Sequence, residues 1–142
     1  MASKALTIVL AAGKGTRMKS RLPKALHGIA GRSLLGHVLA ASRSAINGDV
    51  AVVVGPGMED VAAEAERQVA GARTFLQPKQ QGTADAVLAA REAIAGAGDV
   101  FVLFCVTPLL RTATLQRMQA ALDEGANVAV LGFEAADPTG YG

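Results

Sequence analysis

Cysteine occurs once in this 142-residue chain, at Cys105, so no internal disulfide can form and a reducing, cytoplasmic setting is expected. Aromatic side chains are scarce. Four Phe and one Tyr are too few to build base-stacking platforms, and the fourteen cations are scattered rather than massed. Nucleic acid is therefore not an expected partner. No apolar run approaches membrane-spanning length, so no membrane is expected either. Leu6–Ala12 is too short for a signal-peptide core and runs straight into a glycine loop. His27 and His37 stand alone, without a partner at ligand spacing, so surface or structural roles are expected of them. Two familiar phosphate fingerprints are also missing. G-x-G-x-x-G would need glycine where Met18 stands, and G-x-x-x-x-G-K-[ST] does not occur.

What remains is the composition of a folded domain: 51% apolar residues, 18% charged and a net charge of +2. Such a chain can bury a real core, and its length fits one domain over residues 1–142. Strand and helix signals alternate along it. Leu6–Leu10 reads as the first strand. Ser33 can cap a helix through about Ser44, with Leu34, Leu35, Val38 and Leu39 as its apolar stripe. Val50–Val54 is a β-branched run ended by Gly55-Pro56-Gly57, and a polar-faced helix is expected from Glu59 to about Val69. Thr74–Leu76 is a short strand, and Thr83–Ala95 an alanine-rich helix stopped at Gly96. Val100–Phe104 is another strand, Thr112 caps a helix over Ala113–Glu124, and Asn127–Phe133 is the last strand.

Strands apolar on both faces and separated by helices imply a parallel sheet covered on both sides. Ligands on such sheets lie beyond the carboxyl ends of the strands. That rule sets Ala11–Lys24, Gln77–Thr83 and Cys105–Arg111 along one rim. In Gly13-Lys14-Gly15-Thr16-Arg17-Met18 the missing Cβ atoms let backbone N–H groups reach phosphate oxygens, and Arg17 and Lys24 add charge. A tight turn with exposed cations would read the same way. Gln77-Pro78-Lys79-Gln80-Gln81-Gly82-Thr83 offers paired amide donors and acceptors for a base edge, with Thr83 capping the next helix. An ordinary strand-to-helix loop would look alike. Cys105, inside an apolar run, reads as a small buried hydrophobe. Met58 and Met118 read as core filling, and Arg43, Arg67, Arg91 and Arg117 as solvated helix-face charges.

Leu10-Ala11-Ala12-Gly13-Lys14-Gly15-Thr16-Arg17-Met18 with Leu22-Pro23-Lys24 resembles the signature of nucleotidyltransferases acting on sugar 1-phosphates. Gln80-Gln81-Gly82-Thr83-Ala84 and Asp137-Pro138-Thr139-Gly140-Tyr141-Gly142 narrow the resemblance. They are similar to the uridylyltransferase domain of bacterial bifunctional N-acetylglucosamine-1-phosphate uridyltransferase/glucosamine-1-phosphate acetyltransferases. The resemblance implies a Rossmann-like three-layer α/β sandwich around a mostly parallel sheet. It implies transfer of UMP from UTP to N-acetylglucosamine 1-phosphate, giving UDP-N-acetylglucosamine, a cell-wall precursor, and pyrophosphate. Leu10, Ala11, Ala12 and Gly13 would hold the nucleotide through their backbone, Lys24 would contact phosphate, and Arg17 would stabilise the departing pyrophosphate. Gln77, Gln80, Gly82 and Thr83 would recognise uracil and ribose, and Gly142 would touch the sugar.

The resemblance also implies Mg²⁺, held by the aspartate of a Gly-Asp pair before a Thr-Pro-Leu loop. Cys105 and Val106 stand at that pair here, so no metal ligand is expected at this position. The family domain continues past Gly142, which makes a truncated domain the expectation. The domain through which the family trimerises has no counterpart in this sequence. Three alternatives stay open: a nucleotide-binding remnant without turnover, a fragment too incomplete to fold stably, with an exposed sheet edge, and a related guanylyl- or thymidylyl-transferring enzyme, the last disfavoured by Gln80-Gln81-Gly82-Thr83.

Overall fold

Short β-branched runs with apolar residues on both faces satisfy their backbone in a sheet ladder, and the main sheet here has four strands. A computed structural model describes residues 4–140. The chain begins with strand β1 (Ala5–Leu10), two 3-10 turns (Thr16–Met18 and Lys24–Leu26) and a small antiparallel hairpin. The hairpin strands are β2 (Gly28–Ile29) and β3 (Arg32–Ser33), followed by helix α1 (Leu34–Ala45). Then come β4 (Gly48–Val54), α2 (Glu59–Gln68), β5 (Arg73–Leu76), α3 (Thr83–Ala89), α4 (Arg91–Ile94), β6 (Val100–Phe104) and α5 (Thr112–Asp123).

The main sheet runs β5-β4-β1-β6, with every pairing parallel. In chain order of its strands this is 3-2-1-4, the winding of a Rossmann-type sheet, and the order reverses between β1 and β6. Alternation sorts each strand between two cores. Val9, Val50, Val52, Phe101 and Leu103 face one side, under α1, α2 and α5, with Leu35, Val38, Leu39, Val61 and Leu115. Leu6, Ile8, Ala51 and Val53 face the other, under α3 and α4, with Ala86 and Ala90. Each fully buried Leu or Val of this kind stabilises the fold by about 1.5–3 kcal/mol.

Most elements lie where periodicity sets them, and Ser33 caps α1, its Oγ accepting from the Gly36 N–H at 2.9 Å. Several expectations need correction. Asn127–Phe133 is not a strand: it makes no sheet pairing among the described residues, and Val130 is 85% exposed. Apolar, β-branched sequence becomes strand only where a ladder partner accepts it. The sheet is not covered throughout, because α3 and α4 stop short of β6 and leave Val102 and Phe104 40% and 49% exposed. The helix expected over Thr83–Ala95 breaks at Ala90, whose N–H donates to Val87 in 3-10 fashion. Thr83 and Thr112 do not cap. They are the first helical residues, the cap positions belong to Gly82 and Arg111, and no side chain bonds there. The hairpin and the 3-10 turns went unforeseen, being too short for periodicity to show. Among the described residues no helix is long and apolar enough to cross a membrane.

Candidate active site

Three backbone hydrogen bonds carry the sheet ladder just past its carboxyl edge. Ala11 N–H donates to Val53 at 2.8 Å, Gln77 N–H to Val54 at 2.9 Å, and Cys105 N–H to Leu10 at 3.2 Å. They bring the loops after β1, β5 and β6 to one rim, at the point where strand order reverses. An open cleft lies between them. The first loop contributes Ala12, Gly13, Gly15, Thr16, Arg17 and Met18, with Lys24 from the second 3-10 turn. Gln77, Gln80, Gly82, Thr83 and Ala86 form a second wall, and Leu10, Phe104, Cys105 and Val106 the floor. Of the residues singled out on the sequence, Leu10, Ala12, Gly13, Arg17, Lys24, Gln77, Gln80, Gly82 and Thr83 meet here. Ala11 does not line the cleft; it is buried and its N–H is spent on the ladder. Gly142 lies outside the described residues.

The glycines of the cleft do not all serve one purpose. Gly15 has φ +60°, and a Cβ there would sit 2.7 Å from Cβ of Lys24, so glycine lets the loop close against the lysine stem. Gly15 also sets the left-handed entry to the turn that carries Arg17. Cβ atoms at Gly13 and Gly82 would meet nothing within 4 Å, so both leave the backbone open to an approaching group. Gly82 has φ +113°, a conformation that side chains resist.

The glutamines do different work from one another. Gln77 is buried, and its Nε2 donates to the Gly82 carbonyl at 3.2 Å and to Asp85 Oδ2 at 2.7 Å. Both amide protons therefore brace the loop, leaving only Oε1 to face a base. Exposed Gln80 reaches across the cleft, its Nε2 donating to the Ala12 carbonyl. It ties the two walls together. Asp85, Phe104 and Ala86 were not foreseen as contributors. Phe104 could have been, as the last residue of a strand at the ligand-binding edge. The Gln77–Asp85 brace had no local signal.

Cys105 is a buried member of the core, as expected, and burial pushes its thiol up to about 11, with the Lys24 charge opposing the rise. Lys24 and Cys105 line the same cleft. Val106 lines the same floor and packs against the core. Among the described residues no carboxylate lines the cleft, and no group of three or more His, Cys, Asp or Glu is disposed to hold a metal. Asp99 lies at the opposite end of β6 and accepts from Gln119 at 2.8 Å. Exposed Asp137 is hydrogen-bonded by the Thr139 side chain and by the Thr139 N–H, which together hold its carboxyl below the usual range. The residues present do not fit a divalent-cation site.

Outside the cleft, both histidines are structural, His27 Nε2 lying 3.2 Å from the Leu22 carbonyl and His37 Nε2 2.7 Å from that of Ile29. Arg67 is more than a solvated charge. It pairs with Glu64, which also accepts from Ser33 at 2.5 Å and Gln68 at 2.9 Å, tying the hairpin and α1 to α2. Burial pushes the Glu64 carboxyl up, yet these hydrogen bonds outweigh it and hold the group below its ordinary value.

The family model of the MobA-like NTP transferase domain matches residues 7–140. Bifunctional protein GlmU of Xanthobacter autotrophicus is 61% identical over 138 residues, covering 96% of this chain and 31% of the relative. Its counterpart in a Bradyrhizobium species is 57% identical over 142 residues, covering 99% of this chain and 32% of the relative. The chain thus spans less than a third of the length of these curated relatives. Among solved structures, Rv0371c of Mycobacterium tuberculosis superposes with a TM-score of 0.71 at 21% identity, covering 87% of this chain and 63% of that one. A nucleotidyl transferase from Methanothermobacter thermautotroptrophicus gives 0.70 at 23%, covering 82% and 57%. At such identities the likeness is one of fold. With the cleft at the strand-order reversal and the match over residues 7–140, the chain belongs to the MobA-like NTP transferase domain family.

Proposed function

We propose that the cleft is a UTP site and that its chemistry is transfer of UMP to N-acetylglucosamine 1-phosphate. The observation that carries this reading is the meeting of Gly13, Lys24, Arg17, Gln80 and Gly82 in one cleft. The GlmU proteins at 61% and 57% identity support the choice of substrates. In this reading Gly13 and Gly82 leave room for the triphosphate and the base ring. Gln80 releases the Ala12 carbonyl and turns its amide to the uracil edge. Gln77 holds the Gly82 loop in place, and Thr83 lines the ribose side.

A phosphate oxygen of the sugar 1-phosphate attacks the α-phosphorus in line. The bond from that phosphorus to the bridging oxygen breaks, and pyrophosphate leaves with the electron pair. Positioning and charge neutralisation supply most of the rate in such transfers. Lys24, clasped by Gly15, and Arg17, on its turn, offset the charge gathering on the leaving group. Mg²⁺ goes with the resemblance and a reduced, cytoplasmic Cys105 with the reading as a whole, but no carboxylate among the described residues of the cleft is there to hold the cation.

Val106 favours a second reading for this chain, a site that grips nucleotide without turning it over. Pyrophosphate release from UTP and N-acetylglucosamine 1-phosphate separates the two. Turnover above the rate of a Lys24→Ala variant supports transfer. Calorimetric binding of UTP without release supports the second reading. Equal binding of UTP, CTP and ATP would overturn the assignment of uracil recognition to the Gln80 wall.

A further inference from the structure

We propose that this cleft binds its nucleoside triphosphate as the metal-free anion, and that divalent cations weaken this binding instead of assisting it. The proposal rests on the nucleotide reading above. Three features of the site point to it.

The first is what surrounds the phosphate region. The floor is Leu10, Phe104, Cys105 and Val106, with Met18 at its flank, and no described residue of the cleft is a carboxylate. A magnesium ion carried in on the phosphates sheds water reluctantly and demands oxygen ligands in return. Apolar Val106, seated against the core, offers none.

The second is the acid nearest the walls. Asp85 is occupied by Gln77 Nε2 at 2.7 Å, and releasing it would undo the brace that shapes the Gly82 loop. Asp99 sits at the far end of its strand. Neither can swing in at low cost.

The third is the pair of positive charges. Lys24 lines the cleft, its stem passing so close to Gly15 that a Cβ at that residue would lie 2.7 Å from the lysine's own. Arg17 is carried on a short turn that starts from left-handed Gly15. A fully charged triphosphate meets both cations with its whole charge. A chelated divalent cation cancels two of those charges before the nucleotide arrives, and Coulomb attraction falls in proportion. The chelate therefore loses attraction and finds no carboxylate in exchange among the described residues.

The test is calorimetric titration of the 142-residue chain with UTP at constant ionic strength, in EDTA and in excess Mg²⁺. Constant ionic strength matters because screening alone weakens such binding. UTP is expected to bind in EDTA and to bind about fivefold more weakly in Mg²⁺, the scale set by weakening two partly exposed ion pairs. In Val106→Asp the sign of the magnesium effect reverses, whereas Val106→Asn keeps the wild-type sign. Should Val106→Asp fail to fold, as judged by circular dichroism, the wild-type pair of titrations decides alone. Wild-type affinity that is equal or higher in Mg²⁺ overturns the proposal and leaves the nucleotide site standing. Absence of UTP binding in both buffers, from a folded chain, overturns the nucleotide reading itself and this inference with it. A folded Val106→Asp that is still weakened by Mg²⁺ overturns the assignment to residue 106.

Discussion

The carboxyl rim of the sheet and the stretch after α5 make an instructive pair. The rim is built from glycine, glutamine and lysine, residues with little intrinsic preference for order, yet every loop on it is tied. The ladder bonds of Ala11, Gln77 and Cys105, the Gly15–Lys24 contact and the Gln77–Asp85 brace fix its shape. The stretch containing Val128, Val130 and Leu131 has the sequence of a buried strand and remains exposed. Order follows the availability of partners more closely than it follows local preference. A loop anchored at strand ends is more defined than a strand-like segment that joins no ladder among the described residues.

Substitutions can break that contrast or sharpen it, and the largest effect is expected in the core beneath the rim. Leu39→Ala, at a fully buried position on α1, should cost about 2–5 kcal/mol in urea unfolding. A loss under 1 kcal/mol would mean that the α1 face is far looser than its packing suggests.

Alkaline pH probes the floor of the cleft. Burial raises the folded-state Cys105 thiol from its ordinary 9.0 to about 11, partly opposed by Lys24, so the native state holds this proton more tightly than the unfolded chain. The stabilisation is therefore complete below pH 9 and is lost as pH rises through 11, by at most about 2–3 kcal/mol. Unfolding curves of wild type and Cys105→Ala across that range should converge as pH increases. Parallel curves would show that the thiol is not desolvated.

Gly15→Ala tests whether the rim's order is what serves the ligand. The left-handed conformation alone costs a non-glycine residue about 1–2 kcal/mol, and the new Cβ meets the Lys24 stem at 2.7 Å. UTP affinity should fall about tenfold, equivalent to ~1.4 kcal/mol. Unchanged affinity would detach Lys24 from the phosphate role.

At the other extreme, Val130→Ser should alter stability by no more than about 0.5 kcal/mol, because the side chain is 85% exposed. A larger loss in unfolding experiments would reveal packing of the 127–133 stretch and dissolve the contrast.

Much of this arrangement is legible in residue order. Alternating apolar runs announce the strands, Ser33 announces the start of α1, and three strand-end loops sharing one rim follow from a parallel sheet. The errors have a common cause. Thr83 and Thr112 look like caps on composition, but the cap position depends on where the preceding loop releases the chain. Arg67 looks like a surface charge until α1 and the hairpin bring Ser33 beside Glu64. Val102 and Phe104 look covered until α3 and α4 prove to lie over the other strands.

Periodicity and glycine placement are properties of neighbouring residues, and from them the sequence by itself determined a parallel α/β domain, an open basic loop after β1, and valine at position 106. Only the tertiary structure decided that Gln80 spans to Ala12, 68 residues away, that Gln77 spends its amide on the loop, and that Asp85 is thereby kept from the cleft. Those outcomes depend on contacts between distant segments, whose geometry exists once the sheet has closed and has no trace in local sequence.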